Sequence, residues 1–179
     1  DIPMSIFKKI KCAIAGPLCY LINWSLQTGI FPDRLKIGII TPVYKEGERS
    51  LVSNYRPISV ISSIAKIFEK CIAIRLNKFI GKNNIIVGQQ YGFQRGLSTQ
   101  DAVIRLTELI SDVLDSKRHC MNIFIDLKKA FDTVNHTLLL GKMERYGIRG
   151  LPRKLFGSYL RDRQQCVKIG SEKSTIQPL

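Results

Sequence analysis

Twelve residues, Ile123 to Val134 (I-F-I-D-L-K-K-A-F-D-T-V), hold the strongest chemical suggestion in this chain. An apolar run, Ile123-Phe124-Ile125, leads directly into Asp126, and Leu127, Ala130, Phe131 and Val134 then recur at three- and four-residue steps. That pattern predicts a strand turning into a short helix. It would set the Asp126 carboxylate at the carboxyl edge of a sheet, where layered α/β proteins place ligands. A carboxylate is a hard oxygen donor, the kind a magnesium ion takes when it is shared with substrate phosphates. The same residue type also caps helices by accepting hydrogen bonds from free backbone N–H groups. On this stretch alone both readings stand.

Other chemistry-bearing residues are basic and sit at the ends of apolar elements. Lys45 ends a β-branched run, Ile37 to Tyr44, and Arg56 lies in a Tyr-Arg-Pro turn. A triphosphate is well held by a point charge together with a planar, bidentate fork, which Lys and Arg supply. Two solvated cations on a basic surface would look the same. Between Gln89 and Ser98 a glycine-punctuated loop carries Tyr91, Phe93 and Arg95. Stacking plus phosphate contact on a nucleic-acid strand suits it, and so does a tight turn whose aromatic rings plug a core. Phosphate-loop, zinc-protease and serine-hydrolase motifs are absent from the sequence. The two histidines, His119 and His136, lie in unrelated contexts suited to the surface or to helix caps.

The elements needed to position these residues read as mixed α/β. A helical pattern covers Ile2 to Leu26, interrupted at Gly16-Pro17, and a turn at Thr28–Asp33 follows. Lys8, Lys9 and Lys11 ahead of an apolar run imitate a signal peptide, but the run is short for a span and reads as a buried, kinked core helix. Ile37–Tyr44 predicts a strand with Pro42 near an edge or bulge. Asn54–Ser59 is extended because Arg56 precedes a proline. Amphipathic helices are predicted from Ile64 to Phe79, with Ser62 or Ser63 as cap, and from Ala102 to Leu114, with Ser98 or Thr99 as cap. Further helices at His136–Tyr146 and Leu151–Leu160 and a strand at Gln165–Ile169 complete the pattern.

Charge narrows the function. Twenty-eight Lys and Arg residues stand against 14 Asp and Glu, a formal charge of +14 in 179 residues. Such an imbalance favours a polyanionic partner, and with no basic amphipathic helix to suggest a membrane, nucleic acid is expected. Five scattered cysteines without a C-x-x-C pair support neither a zinc site nor a disulfide framework. They fit a reduced intracellular compartment, nucleus or cytoplasm.

Four segments together are recognisable: N-Y-R-P-I-S at Asn54–Ser59 with K-I-F-E-K at Lys66–Lys70, Q-Y-G-F-Q-R-G-L-S-T at Gln90–Thr99, F-I-D-L-K-K-A-F-D-T-V at Phe124–Val134, and S-Y-L-R-D-R-Q at Ser158–Gln164. In this order and spacing they closely resemble the reverse transcriptase domain of jockey-like non-LTR retrotransposons, over essentially the whole chain. The resemblance implies an α/β (α+β) fold, part of a right-hand polymerase, with fingers over residues 1–118 and the first part of an RRM-like palm over 119–179. It implies template RNA, primer DNA and a deoxynucleoside triphosphate as partners, and two Mg²⁺ ions. It makes Asp126 the first catalytic aspartate, with the Leu127 backbone carbonyl beside the same metal. Phe131 becomes the steric gate against a ribose 2′-OH, with Ala130 beside it in the nucleotide pocket, and Lys45 and Arg56 become the holders of the incoming triphosphate.

The family's glycine-rich motif and Tyr-Ala-Asp-Asp hairpin are expected just after Leu179, and the thumb beyond them. The 179 residues are therefore expected to be inactive by themselves. A non-catalytic, basic nucleic-acid-binding remnant is the alternative.

Overall fold

The computed structural model describes residues 2–127 and 130–179. They pack as two units: Asp1–Leu76 with Asn135–Leu179, and Asn77–Val134.

The first unit is built on a mixed sheet. Strands β1 (Ile37–Tyr44) and β2 (Tyr55–Ile61) form an antiparallel hairpin, and β3 (Gln164–Ile169) runs parallel to β1 on its other side. Two short strands, β4 (Glu172–Lys173) and β5 (Gln177–Pro178), pair antiparallel with β3. Both prolines of the hairpin sit where no ladder bond is lost. Pro42 faces Pro57, one step from the Val43–Arg56 pair. The Lys45 N–H donates to the Asn54 carbonyl at 2.9 Å, and alternation from that bond turns both proline nitrogens outward. Outward from Pro57 is the sheet's edge, and outward from Pro42 lies past Ile40, where pairing with β3 ends.

Helices α1 (Met4–Lys9), α2 (Lys11–Thr28), the start of α3 (Ser63–Lys82), α5 (His136–Arg145) and α6 (Gly150–Leu160) complete this unit. The core centres on Phe31, Phe68 and Leu155, with Ile22, Leu26, Ile64 and Tyr159 packed around them. Phe31 meets Phe68 edge-on at 6.0 Å and Tyr159 at 5.0 Å. Burying each such side chain stabilises by about 1.5–3 kcal/mol. Gly29 ends α2 at φ +68, and a Cβ there would come within 2.9 Å of Lys154 Cδ on α6. The close approach of α2 and α6 needs this glycine.

Three expectations change. The run expected to be a buried core helix is helical through Pro17, but within α2 only Ser25 is buried. Its apolar side borders an open groove of about 620 Å³ between α1, α2 and α3, and Leu21 and Trp24 remain exposed. Secondly, Ile123–Ile125 forms no strand: its residues are 78–84% exposed and irregular. A strand exists only through its ladder, and this segment appears in none of the described pairings. Thirdly, Ala130–Thr133 forms a turn rather than a helix, and Lys128 and Lys129 of the expected helix lie outside the described residues.

In the second unit α4 (Thr99–Asp115) is the main element. Ser98 caps it with a full capping box: its hydroxyl accepts from the Asp101 N–H, and Asp101 Oδ2 accepts from the Ser98 N–H at 2.7 Å. These hydrogen bonds, the Ser98 hydroxyl first, hold the Asp101 carboxyl below its usual range. No residue of α4 is buried.

Candidate nucleotide site

Lys45 and Arg56 owe their placement to the hairpin. Side chains two residues apart share a face, so Lys45 lies on the face of Val43, and Arg56 stands directly opposite Val43. The two residues are thus diagonal neighbours on one face of neighbouring strands, their backbone positions roughly 7–8 Å apart. The other face is closed by the rings of Tyr44 and Tyr55, edge-on at 5.7 Å, with the Arg49 guanidinium over Tyr44 at 5.3 Å.

The connecting loop is tied down rather than loose. The Tyr44 hydroxyl donates to the Gly47 carbonyl at 2.6 Å, the Tyr55 hydroxyl to the Arg49 carbonyl at 2.9 Å, and the Asn54 amide to the Glu48 carbonyl at 2.9 Å. Gly47 takes φ +91, with the Asn54 amide 2.7 Å from where a Cβ would sit. Only glycine suits that turn.

Glu46 is a participant that sequence reasoning passed over. Its Oε1 lies 2.9 Å from Lys45 Nζ. The hydrogen bond from Lys45, then the charge of Lys45, hold its carboxyl below the usual range; Arg56 adds a smaller pull and slight desolvation opposes it. The signal in the sequence is its adjacency to Lys45. Because Lys45 and Glu46 are both well exposed, the pair contributes little to stability and leaves Lys45 exchangeable to another anion.

Asp126, Leu127, Ala130 and Phe131 belong to the second unit, and all four are exposed. The cap reading of Asp126 turns on backbone groups at Lys128 and Lys129, outside the described residues. Thr133 donates from its hydroxyl to the Ala130 carbonyl at 3.2 Å, closing the turn that presents Phe131. Phe131 meets Phe93 edge-to-face, with ring centroids 6.0 Å apart and planes at 83°. Phe93 is therefore no core plug: it is 94% exposed. Tyr91 is half-buried.

The donors at Asp126, a carboxylate and the following carbonyl, suit one magnesium ion that keeps waters and shares substrate phosphates. They do not suit a pair of ions held by this chain alone. Among the described residues no group of three or more His, Cys, Asp or Glu could hold a metal. Nor is any helix among them long and apolar enough to cross a membrane.

A mixed sheet joined to helices, a cationic hairpin and an exposed acid-to-aromatic segment are what a partial polymerase fold would carry, and the family comparison agrees. The family described as reverse transcriptase (RNA-dependent DNA polymerase) matches residues 43–177. The chain belongs to that family. It is 35% identical over 161 residues to the probable RNA-directed DNA polymerase from transposon BS of Drosophila melanogaster, covering 88% of this chain and 17% of that protein. Its identity to the probable RNA-directed DNA polymerase from transposon X-element of the same species is 39% over 160 residues, 87% of this chain and 17% of the relative. To the RNA-directed DNA polymerase from mobile element jockey, also of D. melanogaster, it is 30% over 166 residues, 90% of this chain and 18% of the relative. The likeness is to jockey-like, non-LTR retrotransposon polymerases, and the chain spans less than a fifth of their length.

Proposed function

We propose that these residues serve RNA-templated DNA synthesis as the fingers, residues 1–118, and the first palm segment, residues 119–179, of a retrotransposon reverse transcriptase. The observation that carries the reading is the hairpin that sets Lys45 and Arg56 on one face, with Lys45 paired to an exchangeable carboxylate, within a chain of this family. Lys45 offers a point charge to the incoming deoxynucleoside triphosphate and Arg56 a planar fork. An incoming phosphate takes Lys45 from Glu46, an exchange of one anion for another. Phe131 crowds the sugar's 2′ position, and Ala130 leaves room beside it.

Asp126, with the Leu127 carbonyl, is this chain's share of the magnesium site. When bound, the two ions of such a site stabilise the attacking and leaving oxygens of an in-line displacement. The chain's own part is positioning and charge. With one such carboxylate, the 179 residues alone bind nucleic acid without turnover.

The test is Asp126→Asn in the complete polymerase carrying these residues. Incorporation of dNTP should fall by at least about 10³-fold, the scale of losing a group that acts on developing charge, while template affinity in a filter-binding assay stays unchanged. Retained incorporation would reject the role of Asp126. Lost template binding would make it a structural residue.

A further inference from the structure

We infer that Phe93 is a positioning residue for Phe131 and, through it, sets the discrimination between deoxynucleotides and ribonucleotides. This rests on the reading of Phe131 as the gate.

Rejecting a ribose for one oxygen atom demands that the blocking ring stay in place. Phe131 is 77% exposed and sits in a turn, and an exposed side chain changes rotamer within picoseconds to nanoseconds. Packing against the core therefore does not hold it. Its ring contact is with Phe93, edge-to-face at 6.0 Å and 83°, the geometry in which the positive edge of one ring meets the negative face of the other, and the pairing biases both exposed rings toward one arrangement.

Phe93 is 94% exposed, and its ring is not stabilised by burial. Its backbone is also strained, with φ +60, a left-handed conformation uncommon for a bulky non-glycine residue. Backbone strain of this kind persists where surrounding structure over-determines it, and it gathers at functional sites. Gly92 and Gly96, the latter at φ +82, flank it and let the loop turn its ring outward. The loop Gln89–Gly96 and the segment after Asp126 are far apart in sequence, and the described structure joins them through this pair of rings. Holding the gate is thereby a role for the loop beside strand contact.

The test uses the complete polymerase carrying these residues and reads the ratio of dNTP to rNTP incorporation opposite one template base. Phe93→Leu keeps bulk and backbone but removes the ring. It should lower the ratio about fivefold, the order an edge-to-face pair provides, with template affinity unchanged. Phe93→Tyr, which keeps the ring, should retain the ratio. Phe93→Leu combined with Phe131→Ala should be no worse than Phe131→Ala alone, because both act through one ring. If Phe131→Ala lowers the ratio and Phe93→Leu does not, the inference falls and the gate stands. Additive losses would also overturn it. If Phe131→Ala itself leaves the ratio unchanged, the gate reading fails and takes the inference with it.

Discussion

Tyr159 shows how a side chain's surroundings turn into a measurable pH dependence. Its ring packs on Phe31 in the core, its hydroxyl donates to Glu69 Oε1 at 2.7 Å, and the Arg163 guanidinium lies 4.8 Å above it. Burial, then the bond to Glu69 and its charge, push the phenol up to about 12 from 10; Arg163 opposes them. The folded state therefore holds this proton more tightly than the unfolded chain. The stability it contributes is fully present below pH 10 and is lost as pH rises from 10 through about 12. Tyr159→Phe should cost about 1–2 kcal/mol near neutral pH through the lost bond to a charged acceptor. It should also flatten the decline in that alkaline window. Urea unfolding at pH 9 and pH 11 measures both. Sequence alone placed Lys45 at a strand end but could not pair it with Glu46 in space. It also left the ring of Phe93 with two fates, which only its exposure and its neighbour separated.

Elements with local signals were legible; those that depend on distant partners were not. The helix at Thr99–Asp115 is announced by Ser98 and Asp101, three residues apart, whose capping box satisfies backbone donors within one turn. Ser98→Ala should destabilise α4 by about 1 kcal/mol. Hydrogen exchange should then rise at the first amides of α4 while those of α6, in the other unit, keep their protection. Equal loosening in both would mean the cap supports more than its own helix. The strand expected at Ile123–Ile125 is the opposite case. Apolar residues with high strand propensity do not form a strand without a neighbouring backbone to bond, and here those side chains remain in solvent. The pairing of β1 with β3 joins residues more than 120 positions apart, and the two-residue strands β4 and β5 exist only because β3 offers them an edge.

For the molecule as a whole, charge is the property that reaches furthest. A formal +14 raises the local concentration of any polyanion and accelerates its encounter. Binding of single-stranded RNA by the 179-residue chain should weaken linearly in log–log terms with salt, with a slope of about −0.7 per phosphate neutralised. Titrations between low and physiological salt measure it, and salt-independent binding would show that the basic residues are not the contact surface. The exposed apolar residues from Met121 to Leu127 and the groove beside α2 present unburied surface in the same molecule. Patches of that kind favour association, so these titrations need dilute protein.

By itself the sequence determined the family, the mixed α/β class, the helices other than the one expected after Asp126, the Ser98 cap of α4 and the strands at Ile37–Tyr44 and Gln165–Ile169. All of these rest on order, periodicity or short-range hydrogen bonding, which a linear string encodes. Tertiary structure alone decided that Lys45 and Arg56 share a face, that Glu46 bridges to Lys45, that Phe93 meets Phe131, and that Ile123–Ile125 stays outside the sheet. Each is a relation in space, through strand register, ring contact or ladder partnership, and no residue carries such a relation until its partner has been folded against it.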